Sequence, residues 1–288
     1  MFANHERGGS RLRGETTMGL NWMTTRLTMG VAGLVANLLG VHSGNHKFAS
    51  GWESINRKMK TFENQTFESF YDRNSGKTFS DLIFRKCRFG SCAISITRDV
   101  NLRSTVRNVA MTNCQLVSGS IRSAILEDVI IENLKLTHLL ICRAAVFKHV
   151  VLKGKIGQVM ITPDVDPLNA TPDEQEAFDT ANAAYYETVD WALDISAAEF
   201  AELDLRCVPA RLIRRDPETQ AVVTREKALR GDWRKLGFDK TCWNVGLWMF
   251  LESGRADTVL VAAKRSKNFR DQLEGLKLLR AAGIAEPD

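Results

Sequence analysis

The sequence lacks the short signatures by which common chemistries are recognised. Six cysteines occur, but none form a CxxC pair, so zinc-ribbon and thioredoxin-like spacing is missing. Neither HExxH nor GxSxG is present, which removes helix-borne zinc hydrolysis and the nucleophile elbow. There is no glycine-rich phosphate loop. Ser75-Gly76-Lys77-Thr78 has the end of one, but Tyr71 stands where its first glycine belongs. The apolar stretch at residues 27–41 has 15 residues, short of the roughly 20 that a membrane span needs. A chain that is 44% hydrophobic and 25% charged is not a disordered one. Its 288 residues allow about two domains.

A repeat of five residues is present instead. From Val106 every fifth residue is apolar: Val106, Met111, Leu116, Ile121, Leu126, Ile131 and onward to Ile161. Twelve in succession has a chance probability on the order of 10⁻⁴ in one frame. Neither the 3.6-residue helix nor the two-residue strand sustains that period. Upstream the series is Phe62, Phe67, Phe79, Phe84, Phe89 and Ile94, with 12-residue breaks at 67–79 and 94–106. The position two before each centre is mostly small or apolar, as at Cys87, Cys92, Cys114, Ala124, Val129 and Leu139. One large and one small inward side chain per five residues suit a short face followed by a corner. Four faces make a coil of 20 residues, stacking Leu126 on Val106 and Val146 on Leu126; the first coils, as Phe62 to Phe84 and Phe84 to Val106, close at 22. The expected fold class is therefore mainly β: a right-handed β-helix, or solenoid, with a helical insertion and a small C-terminal α/β cap. A three-sided β-helix is the main alternative.

The segments CQLVS, AILED, VIIEN and CRFGS within residues 61–161 resemble the pentapeptide-repeat family in a degenerate form. Ile125 and Ile130 stand where that family often has Asn or Asp. The resemblance implies a quadrilateral β-helix and a binding role. It also raises the DNA mimicry by which some relatives act on topoisomerases. Mimicry needs a negative rod, whereas residues 61–161 sum to +6 and residues 162–288 to −6.

Three regions are expected. Residues 1–58 form an extension, loosely ordered or a single helix over 18–40. Residues 59–210 hold the coils, interrupted at 162–189 by a helix that Thr171-Pro172-Asp173-Glu174 announces as a capping box. That helix would turn Phe178, Ala181, Ala184 and Tyr185 to one side and cover an open edge or end of the coils. Residues 211–288 form the cap: a hairpin around the Asp216-Pro217-Glu218-Thr219 turn, helices near 241–252 and 268–282, and a strand at 258–262. Trp243 and Trp248 read as core residues.

No catalytic, cofactor or metal residues are assigned. His149 falls at an inward position and reads as a hydrogen-bonded core histidine; His138 points outward without a nucleophile beside it. The candidate anion- or partner-binding residues are Arg211, Arg214, Arg215 and Arg225 on the hairpin, with Lys264, Arg265, Lys267 and Arg270 leading into the last helix. The expected function is a non-enzymatic scaffold that binds a protein partner through its coil faces or cap. Alternatives are a topoisomerase-interacting or immunity-type pentapeptide protein, a nucleic-acid binder through the basic half, and an enzyme with its site at the junction of cap and coils. No cofactor or membrane partner is expected. Unpaired thiols fit a reducing cytoplasm; export through residues 27–41 is the alternative.

Overall fold

The computed structural model describes residues 59–238 and 241–286. The extension expected over residues 1–58, with its helix and apolar stretch, lies outside the described residues. The chain is mainly β: a large curled parallel sheet extends from Lys60–Glu63 to Ile213–Arg214. Among the described residues four helices accompany it: α1 (Pro172–Tyr186), α2 (Arg225–Arg230), α3 (Trp243–Glu252) and α4 (Phe269–Ala281). None of them is long and apolar enough to cross a membrane.

The sheet curls because its long strands turn corners. Val150–Thr162 pairs through its first half with Ile125–Leu136 and through its second with Leu140–Arg143. One wall thus carries Lys60–Glu63, Thr78–Arg85, Thr105–Thr112 and Ile125–Leu136. The adjoining wall carries Leu140–Arg143, Gly119–Arg122, Cys92–Ile96 and Tyr71–Arg73. The five-residue series supplies much of the core, with Phe62, Phe84, Val106, Leu126, Ile131, Ile156 and Ile161 buried. Phe62 stacks on Phe84 at 5.2 Å and Phe67 on Phe89 at 5.1 Å, and edge-to-face contacts join the two stacks.

Two expected registers are corrected. Phe62 does face Phe84, 22 residues on, but Phe84 faces Met111, 27 residues on, and Phe79 rather than Phe84 faces Val106. The spacing exceeds the expected 22 by five residues, and the 94–106 break includes the 3₁₀ turn Val100–Leu102. Leu126 faces Val106 at 20 as expected, but one residue is added after Leu136, so Leu126 faces Phe147 rather than Val146. A one-residue slip moves side chains to the other face. Leu140, not Leu139, is therefore inward.

Corners set the ladder. Left-handed φ values recur in two columns: Asn64, Lys86, Asn113, Asn133, Gly154, and Asp81, Asn108, Asp128, His149. Asn and Asp tolerate that conformation best among residues with a side chain. Their side chains bond from coil to coil: Asn133 Nδ2 donates to Asn113 Oδ1 at 3.1 Å and Asn108 Nδ2 to Asp81 Oδ1 at 2.7 Å. Gly154 ends its column because a Cβ there would stand 2.4 Å from Asn133 Oδ1. His149 belongs to this corner and is not a core histidine. Its Nδ1 lies 3.1 Å from Asp128 and its Nε2 2.7 Å from Asp190, with the ring against Trp191.

Polar pins hold the irregular parts. The buried Asp72 carboxyl accepts from the Ser95 amide at 3.0 Å and from the Ser104 and Ser75 hydroxyls. Ser75-Gly76-Lys77-Thr78 is thus a corner of the sheet rather than a phosphate loop. The capping box of α1 forms as Thr171 and Glu174 require. Its buried residues are Phe178 and Tyr186; Tyr185 is half-buried and Ala184 exposed, so the inward side is rotated from that expected. α1 packs beside the strand Val146–Lys148 and the 3₁₀ turn Val100–Leu102. Arg103 ties it there: Nε donates to Ser123 O at 2.7 Å, Nη2 to Ala144 O at 3.2 Å and Nη1 to Asn182 Oδ1 of α1 at 2.8 Å. Burial pushes the Arg103 pKa down to about 10, still cationic at neutral pH.

The expected hairpin is also corrected. Ile213–Arg214 pairs parallel with Leu193–Asp194 in the curled sheet, whereas Gln220–Thr224 pairs antiparallel with Asp257–Val261. The Asp216 turn carries the chain from one sheet to the other. Arg225 starts α2, a helix the sequence reading did not anticipate. Trp243 is core, its Nε1 donating to Gln272 O at 3.0 Å, but Trp248 is 52% exposed. This C-terminal part packs on the last strands of the curled sheet: Thr258 Oγ1 donates to Leu205 O, the Arg265 amide to Phe200 O and Gln220 Nε2 to Ile195 O. Strand groups that would otherwise remain open are so paired.

Candidate functional site

Three arginines line one cleft of about 250 Å³. Arg73 ends the strand Tyr71–Arg73, Arg98 follows Cys92–Ile96, and Arg122 ends Gly119–Arg122. These strands are consecutive neighbours in one wall of the sheet. Loop 162–170 forms the other side and contributes Val165 and Asp166. The pairing of these neighbouring strands therefore brings side chains 24 to 49 residues apart in sequence to a single opening.

Each group is fixed differently. Arg98 donates to Asn169 O and lies 3.4 Å from Glu174, which holds the loop to the sheet. The Arg73 guanidinium sits 5.7 Å over the Tyr71 ring. Arg122 faces Arg143 of the next coil. The Asn169 side chain donates to Asp166 at 3.1 Å, and this bond, with the nearby Arg122 charge, holds the Asp166 carboxyl below its usual range. The lining charges are thus three positive and one negative. Tyr71, 50% exposed, stands beside Arg73, and Leu168, 90% exposed, belongs to the loop that contributes Asp166. No histidine, serine or cysteine lines the cleft. Thr97 also lines it, and planar, fork-like guanidinium donors of this kind match the geometry of carboxylates and phosphates.

The eight cations singled out in the sequence occupy other places. Arg211 pairs with Glu187 at 3.6 Å, and Arg214 covers the Trp191 ring at 4.0 Å. Arg215 donates to Gln220 O and lies 3.9 Å from Glu286; Arg225 donates to Leu251 O. Lys264 pairs with Asp216 at 2.9 Å, and Arg265 donates to Ile156 O at 2.9 Å. Lys267 and Arg270 are exposed. Six of the eight therefore already have partners, two of them, Lys264 and Arg265, linking the C-terminal part to the Asp216 turn and the sheet. The cleft arginines had one signal in the sequence: Arg73 and Arg98 fall in the two breaks of the repeat, and insertions in a regular scaffold are where function concentrates.

Compared with protein-family models, curated proteins and solved structures, the chain matches none.

Proposed function

We propose that this protein is a non-enzymatic binding scaffold that receives an acidic stretch of a partner protein in the arginine cleft. The observation that supports this is the convergence of Arg73, Arg98 and Arg122 beside exposed Tyr71 and Leu168. Arginine and tyrosine are the side chains in which interface binding energy concentrates. Mounting them on a hydrogen-bonded stack lowers the ordering cost of binding.

The architectural reading belongs to the same proposal. The curled sheet is a right-handed β-helix of pentapeptide-repeat kind. Offsets of 20 to 22 residues between most paired strands and the two columns of left-handed corners support it. The handedness follows the general rule for parallel crossovers. The 27-residue coil departs from a regular repeat. Six free cysteines, three of them buried in the sheet, favour a reducing compartment, and the reading places the protein in the cytoplasm.

Fluorescence anisotropy tests the function. A labelled glutamate-rich peptide and a 20-base-pair DNA duplex are each titrated with the full chain at low and high salt. The expected result is salt-sensitive peptide binding that falls about tenfold with Arg73→Ala or Arg122→Ala. Binding of duplex alone would transfer the cleft to nucleic acid, and binding of neither would refute the proposal.

A further inference from the structure

A second cavity, of about 410 Å³, lies between α1, the segment 207–211 and the turn 253–255. Its charges are sorted by wall. Asp179 and Glu187 come from α1 and the residue after it, and Arg211 and Arg255 from the facing segments. Glu187 and Arg211 approach to 3.6 Å. Two further lining groups carry unused hydrogen-bonding capacity. The Tyr186 hydroxyl, fully buried near the Phe147 backbone, has no partner in bonding geometry, and neither has Arg255 Nε. A buried polar group without a partner costs stability of order 1–3 kcal/mol and calls for an explanation.

We propose that this cavity binds a small zwitterion, an α-amino acid or dipeptide. Its ammonium lies toward Asp179 and Glu187, and its carboxylate toward Arg211 and Arg255, with the Tyr186 hydroxyl as donor. Four lining charges that cancel in sum, acidic along α1 and basic on the facing segments, fit neither a simple anion nor a simple cation, and the ligand replaces the 3.6 Å contact of Glu187 with Arg211. The volume falls in the range of small-molecule pockets, about 300–1,000 Å³. The groups suit binding rather than chemistry, since burial holds the Cys207 thiol protonated, its pKa pushed up to about 12. The site is independent of the arginine cleft, so either reading stands or falls alone.

Thermal shift and calorimetry on the full chain test it with leucine and glycyl-leucine as probes. Leucinamide, which lacks the carboxylate, and N-acetylleucine, which lacks the ammonium, are the controls. At about a hundredfold excess over the dissociation constant, a zwitterion is expected to raise the melting temperature by roughly 5–10 °C, and the controls are expected to leave it unchanged. Tyr186→Phe removes an unpartnered hydroxyl, so the unliganded variant is expected to melt no lower than wild type while its ligand shift is lost. Asp179→Asn, on the exposed side of α1, is expected to lower affinity at least fivefold without unfolding. Equal response to all four probes, or binding of neither zwitterion at about 10 mM, would overturn the proposal. A Tyr186→Phe variant that melts lower and keeps its ligand shift would do so as well.

Discussion

Replacing Arg103 by Met separates the guanidinium from the side-chain stem, and its cost follows from the structure. Met keeps most of the apolar length beneath Phe178, whose ring lies 5.4 Å from the guanidinium. It removes the guanidinium donor from Ser123 O, Ala144 O and Asn182 Oδ1, of which Ala144 O keeps only Asn182 Nδ2 at 3.4 Å. Hydrogen bonds to a charged group contribute about 1.5–3 kcal/mol each, so three amount to about 6. Burying the charge works in the opposite direction. A pKa lowered from 12.5 to about 10 corresponds to a penalty of about 3 kcal/mol. The net loss is about 3 kcal/mol. For a folded unit of this size that lowers the melting temperature by roughly 6–12 °C. Arg103→Lys retains charge but reaches fewer acceptors, and is expected to fall between Met and wild type. Scanning calorimetry gives the magnitude, and hydrogen exchange locates it: α1 amides should exchange faster while those of Thr105–Thr112 stay protected. A loss below about 0.5 kcal/mol would refute the reasoning, as would a large loss with α1 still protected.

Two further outcomes are expected. Asp72→Ala removes the acceptor shared by the Ser75 and Ser104 hydroxyls and the Ser95 amide, leaving the two hydroxyls only each other, and should lower stability by about 3 kcal/mol in urea unfolding with an unchanged slope. Burial works to raise the Asp216 pKa, but hydrogen bonds from Lys264, Thr219 and the Glu218 amide outweigh it and hold the carboxyl below its usual value of 3.8. A depressed carboxyl contributes stability that is fully present above the unfolded value and is lost as pH falls through the folded one. Melting between pH 6 and pH 2 should thus show a smaller acid loss in Lys264→Met than in wild type.

The five-residue period was legible because burial repeats with it: Phe62, Phe84, Leu126 and Ile161 are inward in sequence and structure alike. The capping box was legible for a similar reason, since Thr171 and Glu174 act locally. What the period could not show was how many residues separate one paired strand from the next. The five residues beyond the expected 22 move the partner of Phe84 from Val106 to Met111. The added residue after Leu136 carries His149 from an inward place to a corner between Asp128 and Asp190. The cleft was hidden because Arg73 and Arg98 sit in breaks of the repeat and Arg122 at a strand end within it, and their meeting depends on which strands pair. The basic residues around Asp216 stood out instead, yet charge density along the chain does not reveal which cations already have partners, as Lys264 and Arg265 do.

The central claim is that the arginine cleft is the binding face, and charge reversal tests it most directly. In one titration series, the full chain and the double variant Arg73→Glu/Arg122→Glu are each given a glutamate-rich peptide and a lysine-rich peptide of equal length. Wild type is expected to bind only the acidic peptide, and the variant is expected to lose it at least a hundredfold and to gain the basic one. Unchanged acidic-peptide binding by a variant that melts like wild type would contradict the account.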